Sequence, residues 1–191
     1  MKAAIINLGS QYTHVIWRTM RDLGVEAAIH DVSASSEILD FFDTYILSGG
    51  PGSAHQDKYP SAERLIKNTA SQKSQKPILG ICLGQQLVAH VLGGKVERGK
   101  SAEYGTSTIE VDEEGALFSG VPKKFTAWVS HFDEVKKMPD GFIRLAHSDT
   151  CEIESMQHEK LPIYCTQFHP EVWHTENGEK ILQNFVEACG K

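Results

Sequence analysis

The 191-residue sequence contains no apolar run long enough to span a bilayer, and its first residues, Met1-Lys2-Ala3-Ala4-Ile5-Ile6, enter a strand pattern without a signal-peptide cleavage site. Neither a membrane span nor a secretory leader is expected. The four cysteines lack the spacing of a disulfide framework, which predicts a reducing, cytoplasmic setting. Clustered Lys and Arg are missing too, and a net charge of −6 argues against nucleic acid or an anionic membrane as the main partner. No Pro/Ser-rich linker, low-complexity stretch or internal repeat divides the chain, so a single domain over residues 1–191 with one large core is the simplest reading. Metal-site patterns of the H-E-x-x-H or C-x-x-C kind are absent, and His169 with His174 has poor ligand spacing, so no metal is expected.

What is present is an alternation of strand and helix signals in the first half. Lys2 to Leu8, Val25 to Val32 and Thr44 to Leu47 read as strands, with helices from Gln11 to Leu23, Ser36 to Phe42 and about Pro60 to Lys73. Such βαβ alternation with short connections predicts an α/β fold, a doubly wound and mostly parallel sheet with helices on both faces. After Lys95 the pattern changes to short strands, Ser107 to Val111, Phe125 to Val129, Phe142 to His147, Glu152 to His158 and Pro162 to Phe168, expected as an antiparallel extension. Glu179 to Cys189 closes the chain as an amphipathic helix, with Ile181, Leu182, Phe185 and Val186 toward the core.

The chemistry concentrates in Pro77-Ile78-Leu79-Gly80-Ile81-Cys82-Leu83-Gly84-Gln85-Gln86-Leu87. A short apolar run opened by proline suits a covered parallel strand, and helical spacing begins at Cys82, with Leu83, Leu87 and Val91 on one face. Gly93-Gly94 then supplies a left-handed stop. Cys82 thus falls at a helix N-terminus, where unpaired N–H groups and the macrodipole favour an anion, in an arrangement like the G-x-S-x-G elbow with sulfur as the attacking atom. A lone buried cysteine is as a rule inert packing, so the elbow requires a base. The strand from Leu161 to Phe168 runs into His169-Pro170-Glu171, where residues i and i+2 of an extended segment point the same way and Glu171 can orient the His169 ring. Cys151, Cys165 and Cys189 read as structural or incidental thiols.

Gly80-Ile81-Cys82-Leu83-Gly84-Gln85-Gln86, Ser48-Gly49-Gly50-Pro51-Gly52 and Phe168-His169-Pro170-Glu171 resemble, in order, the three signatures of the class I (triad) glutamine amidotransferases. The resemblance implies that Cys82 attacks the side-chain amide of glutamine with His169 and Glu171 completing the triad, and that a thioester forms while ammonia leaves for a synthetase. It implies an oxyanion hole from the N–H groups of Gly50 and Leu83. It implies glutamine contacts at Gly50, Gly52, Leu83, Gln86, Ser130, Phe132 and Asp133, the last facing the ammonium. Ser130-His131 equally suits a loop with local hydrogen bonds. Gln85 departs from the family, many of whose members carry histidine there, and its role is open.

Gln11-Tyr12 with Trp17-Arg18, Ala102 to Gly105, Trp128 to Val135 and His174 to Gly178 further resemble the glutaminase portions of GMP synthases, nearest to the two-subunit form typical of archaea. That implies a separate ATP-pyrophosphatase subunit that binds ATP and magnesium and converts XMP to GMP, with no cofactor in this chain. The alternatives are the amidotransferase component of another synthetase, such as anthranilate synthase, or a non-catalytic glutamine-sensing component. Gly94 to Ser101 fits the P-loop pattern, but it follows a helix and precedes β-favouring residues, the reverse of a P-loop's context. Ser48 to Ser53 likewise precedes a loop rather than a phosphate-holding helix.

Overall fold

The computed structural model describes residues 1–190, with residues 100 and 101 described by backbone only. Nine strands form one sheet: β1 (Lys2–Asn7), β2 (Glu26–Asp31), β3 (Thr44–Leu47), β4 (Ile78–Ile81), β5 (Lys95–Val111), β6 (Lys124–Lys137), β7 (Phe142–His147), β8 (Ser155–His158) and β9 (Ile163–Thr166). Their order is β2-β1-β3-β4-β9-β8-β7-β5-β6. The first five in that order run parallel, and the remaining ladders are antiparallel. The expected doubly wound α/β sheet with an antiparallel extension is therefore what the chain forms.

The helices are α1 (Thr13–Asp22), α2 (Ser36–Leu39), α3 (Pro60–Ala70), α4 (Leu83–Val91) and α5 (Gly178–Cys189). Apolar residues at helical spacing put α1 and α5 on one face, where Ile16, Met20, Ile181, Leu182 and Phe185 pack with Ile5, Ile46 and Leu79. The opposite face takes Leu65, Ile66, Leu87 and Val88 from α3 and α4 against Ile6, Leu47 and Ile78. Adjacent residues of β1 and β3 thus serve different layers, as a two-sided strand requires.

Two expectations are corrected by the backbone. The segments expected as short strands at Ser107 to Val111 and Phe125 to Val129 are the ends of β5 and β6, which span 17 and 14 residues. They pair as a long hairpin whose register shifts between Arg98 and Glu103, and Gly105 in this stretch has φ +125°. Glycines and charged residues there masked the strand pattern; the same hairpin absorbs most of the P-loop-like stretch. The strand before His169 ends at Thr166, so His169 and Glu171 belong to a turn, closed by the Val172 N–H on the His169 carbonyl at 3.4 Å.

Candidate active site

The parallel part of the sheet delivers its loops to one edge. The strand order reverses between β1 and β3, and a crevice opens there beyond the carboxyl ends, where open α/β sheets bind ligands. Gly9 and Ser10 follow β1, Gly50 follows β3, Cys82 follows β4 and His169 lies beyond β9; all line one cavity of about 930 Å3. The topology therefore converges separated chain segments on one space.

Cys82 caps α4 with φ 52° and ψ −106°, a left-handed backbone that a non-glycine residue adopts only under constraint. The constraint is visible on both sides. Its N–H donates to the Thr166 carbonyl at 2.7 Å, and its carbonyl accepts the Gln86 N–H at 3.1 Å. Glycines make the turn sterically feasible: a Cβ on Gly80 would lie 2.7 Å from the backbone of Gly84, and one on Gly84 would lie 2.5 Å from the Leu47 carbonyl oxygen. The sulfur is almost fully buried, with the Ser130 carbonyl at 3.8 Å and the Gln167 amide nitrogen at 3.6 Å.

His169 is fixed through its backbone before its side chain is considered. Its N–H donates to the Trp128 carbonyl at 2.9 Å, and its carbonyl accepts the Thr175 hydroxyl at 2.7 Å. Thr175 also accepts the Trp128 N–H, and Glu176 exchanges two 2.8 Å bonds with Thr126. The His174 to Gly178 segment is thus a brace that ties the His169 turn to β6. Ring Nδ1 lies 2.9 Å from Glu171 Oε1, and the Glu171 side chain has no exposed surface. Tyr12 meets the ring edge-on at 5.4 Å.

The imidazole lies close enough to the Cys82 sulfur for the two groups to interact electrostatically. Burial by itself lowers the pKa of His169, but the Glu171 charge and then the Cys82 sulfur outweigh it, holding the pKa well above the usual histidine value. Gly49 lies between the two groups. A Cβ there would stand 2.9 Å from His169 Cε1 and 3.5 Å from Cys82 Cβ, so only hydrogen leaves both in place.

The remaining sequence-predicted residues gather around this pair. Gly50, Gly52, Gln86, Ser130, Phe132 and Asp133 line the cavity. Leu83 contributes backbone only, because its side chain is buried in the core on the α3/α4 face. As the first residue of α4, its N–H has no partner within the helix. Gly50 packs where a Cβ would overlap the Leu8 carbonyl, and Gly52 lies against the Tyr59 hydroxyl and Asp57. The Gly52 loop is closed by the Asp57 carboxylate, which accepts the Ser53 N–H at 2.8 Å. Gln86 gives its amide N–H groups to the Asp133 carbonyl at 2.6 Å and to Gln167 Oε1 at 3.2 Å. Its amide oxygen is the part left for a ligand.

Gln167 is the site residue that the sequence reading missed. It is fully buried and joins Cys82, Gln86 and the Glu154 backbone just before β8, and its one signal is its place two residues before His169. Gln85, open from sequence, is buried and donates to the Ile153 carbonyl at 2.8 Å, so it ties α4 to the loop before β8. In that loop Glu154 is fully buried; desolvation first, then the Glu103 charge, pushes its carboxyl up to about 8.

A buried sulfur at a strained strand-to-helix turn, beside a histidine backed by a carboxylate, defines a cysteine-based acyl-transfer centre on a doubly wound sheet. Residues 4–189 match the family model described as glutamine amidotransferase class-I, and the chain belongs to that family. It is similar over its length to proteins named as subunits of glutamine-hydrolyzing GMP synthase. The Pyrococcus abyssi protein of that name is 48% identical over 189 residues, covering 98% of each chain. The Archaeoglobus fulgidus protein is 43% identical over 191 residues, covering 100% of each. Among solved structures, a Thermoplasma acidophilum protein assigned provisionally as a GMP synthase subunit superposes with a TM-score of 0.91 at 36% identity, covering 100% of this chain and 94% of that one. No helix among the described residues is long and apolar enough to cross a membrane.

Proposed function

We propose that this chain is the glutamine-hydrolysing subunit of a two-part GMP synthase, releasing ammonia for a separate ATP-pyrophosphatase subunit that aminates XMP. The observation that carries the reading is the buried Cys82, His169 and Glu171 constellation in a chain similar end to end to glutamine-hydrolysing GMP synthase subunits.

Cys82 Sγ attacks the side-chain carbonyl carbon of glutamine, and His169 delivers its proton to the departing nitrogen, so that ammonia leaves as the C–N bond breaks and a glutamyl thioester remains. Water then attacks the thioester with His169 accepting its proton; glutamate departs and the sulfur recovers the proton. Glu171 holds Nδ1–H and keeps Nε2 toward the reacting atoms. Charge on the tetrahedral oxygen is met by the N–H groups of Leu83 and Gly50. Asp133 faces the substrate ammonium, with Ser130, Phe132, Gly52 and the Gln86 amide oxygen completing the pocket.

The test is a reconstitution. Cys82→Ala, assayed with an ATP-pyrophosphatase subunit, ATP, magnesium and XMP, should lose glutamine-dependent GMP formation and keep ammonia-dependent formation. Glutamine-dependent synthesis surviving in that variant removes the nucleophile assignment. Absence of GMP from the wild-type pair, with glutaminase activity intact, removes the GMP synthase reading alone.

A further inference from the structure

Beside the cavity wall, four side chains that could ligate a metal converge from segments far apart in sequence: Glu103 on β5, His131 on β6, and Cys151 and Glu154 on the loop between β7 and β8. One ligand atom from each lies within 4.8 Å of all the others. Glu103 and His131 are cross-strand partners, placed opposite each other by the register shift in the hairpin. The loop is equally fixed: the Ser148 hydroxyl accepts the Cys151 N–H at 3.0 Å, and the Glu154 backbone bonds to Ala146 and Gln167.

Their hydrogen bonding is incomplete. Both carboxylate oxygens of Glu154, a residue with no exposed surface, lack an aligned donor. The Ser148 hydroxyl faces Glu154 but is engaged with Cys151 and Thr150. His131, 7% exposed, brings Nε2 to 3.1 Å from Glu103 Oε2, yet neither ring nitrogen has a hydrogen bond of good geometry. Glu103 Oε1 accepts the Thr150 hydroxyl, but the buried Glu154 carboxylate and His131 imidazole without aligned partners are costly, and a cation shared within the cluster removes the cost.

We propose that Glu103, His131, Cys151 and Glu154 form a binding site for a zinc-class divalent ion. The mixed oxygen, nitrogen and sulfur donors suit zinc over magnesium or calcium, which take oxygen. Zinc bond lengths of about 2.0–2.3 Å imply ligand separations of roughly 3.3–3.8 Å in a tetrahedron, so a pair at the 4.8 Å limit would have to close by about 1 Å. Binding displaces the Cys151 thiol proton, and any proton on Glu154, to solvent. The ion would clamp the β7–β8 loop to the hairpin beside Ser130, whose carbonyl faces the Cys82 sulfur.

Chelator-treated full-length chain titrated with cobalt(II) tests this. One equivalent should bind with a thiolate-to-cobalt charge-transfer band and the intense ligand-field absorption of four-coordinate cobalt. Cys82→Ala should retain both signals, and Cys151→Ser should lose the charge-transfer band. Glu154→Gln, which keeps the thiol, should weaken binding at least tenfold. Zinc at about a hundredfold over its Kd should raise the wild-type Tm by roughly 5–10 °C. The proposal is overturned if wild type gives no thiolate band, if the band disappears with Cys82 and persists without Cys151, or if Glu154→Gln binds as tightly as wild type.

Discussion

Replacing Glu171 with glutamine isolates one charge. The side chain is buried without exposed surface, its Oε1 is 2.9 Å from His169 Nδ1, and its other oxygen has no hydrogen-bond partner. Glutamine keeps the shape and an acceptor for Nδ1–H, so the ring orientation survives while the negative charge is lost. A hydrogen bond to a charged group contributes about 1.5–3 kcal/mol against about 0.5–1.5 for a neutral one, so the variant loses about 1–2 kcal/mol of support for the imidazolium. If that loss is expressed in the transition state, kcat/KM falls about 5- to 30-fold. Because Glu171 raises the His169 pKa, its neutralisation lowers that pKa, and the alkaline limb of the pH–rate profile moves to lower pH. The assay is glutamate release across the pH range, with the synthetase subunit present, for wild type and variant. An alkaline limb that stays in place, with kcat/KM within about twofold of wild type, would refute the assignment of Glu171 as the group that sets His169.

Four further outcomes follow from the packing. Gly49→Ala places a methyl 2.9 Å from His169 Cε1, which forces the ring back by about half an ångström; kcat should fall about tenfold or more with little change in Tm. Gly84→Ala drives α4 away from β3 at the Leu47 carbonyl and should cost about 1–3 kcal/mol by urea unfolding, with the elbow displaced and activity reduced. Phe168→Ala empties the ring cluster with Phe118 and Phe125 beneath His169, and should cost about 3–5 kcal/mol on the same assay. His169, with its folded pKa above the unfolded value, contributes stability that is complete below about pH 6.5 and lost as pH rises through the folded value. Wild-type Tm should therefore fall more steeply on the alkaline side than that of Glu171→Gln.

How much of this was legible from the amino acids depends on how local each determinant is. The Cys82 elbow was readable because every requirement lies within a few residues: an apolar strand, glycines at 80 and 84, and a helical repeat starting at Leu83. His169 and Glu171 were readable as a pair, but the strand geometry assigned to them was not, because the bonds that hold the His169 backbone come from Trp128 and Thr175, 41 residues upstream and 6 downstream. The long hairpin of β5 and β6 was read only at its ends, since Gly99, Gly105 and the charged residues Lys95, Glu97, Arg98 and Glu103 hide a pairing that the partner strand supplies. Gln167 carries only its place two residues before His169, and the Glu103, His131, Cys151 and Glu154 group carries no sequence spacing at all. They meet because β9 lies between β4 and β8 in the sheet while the hairpin folds back beyond β7. Site residues set by a single turn can be found by motif, whereas those set by sheet order become visible only when the strands are placed. The elbow is therefore a local invention of the sequence, and the surroundings that make its sulfur useful are a property of the whole sheet.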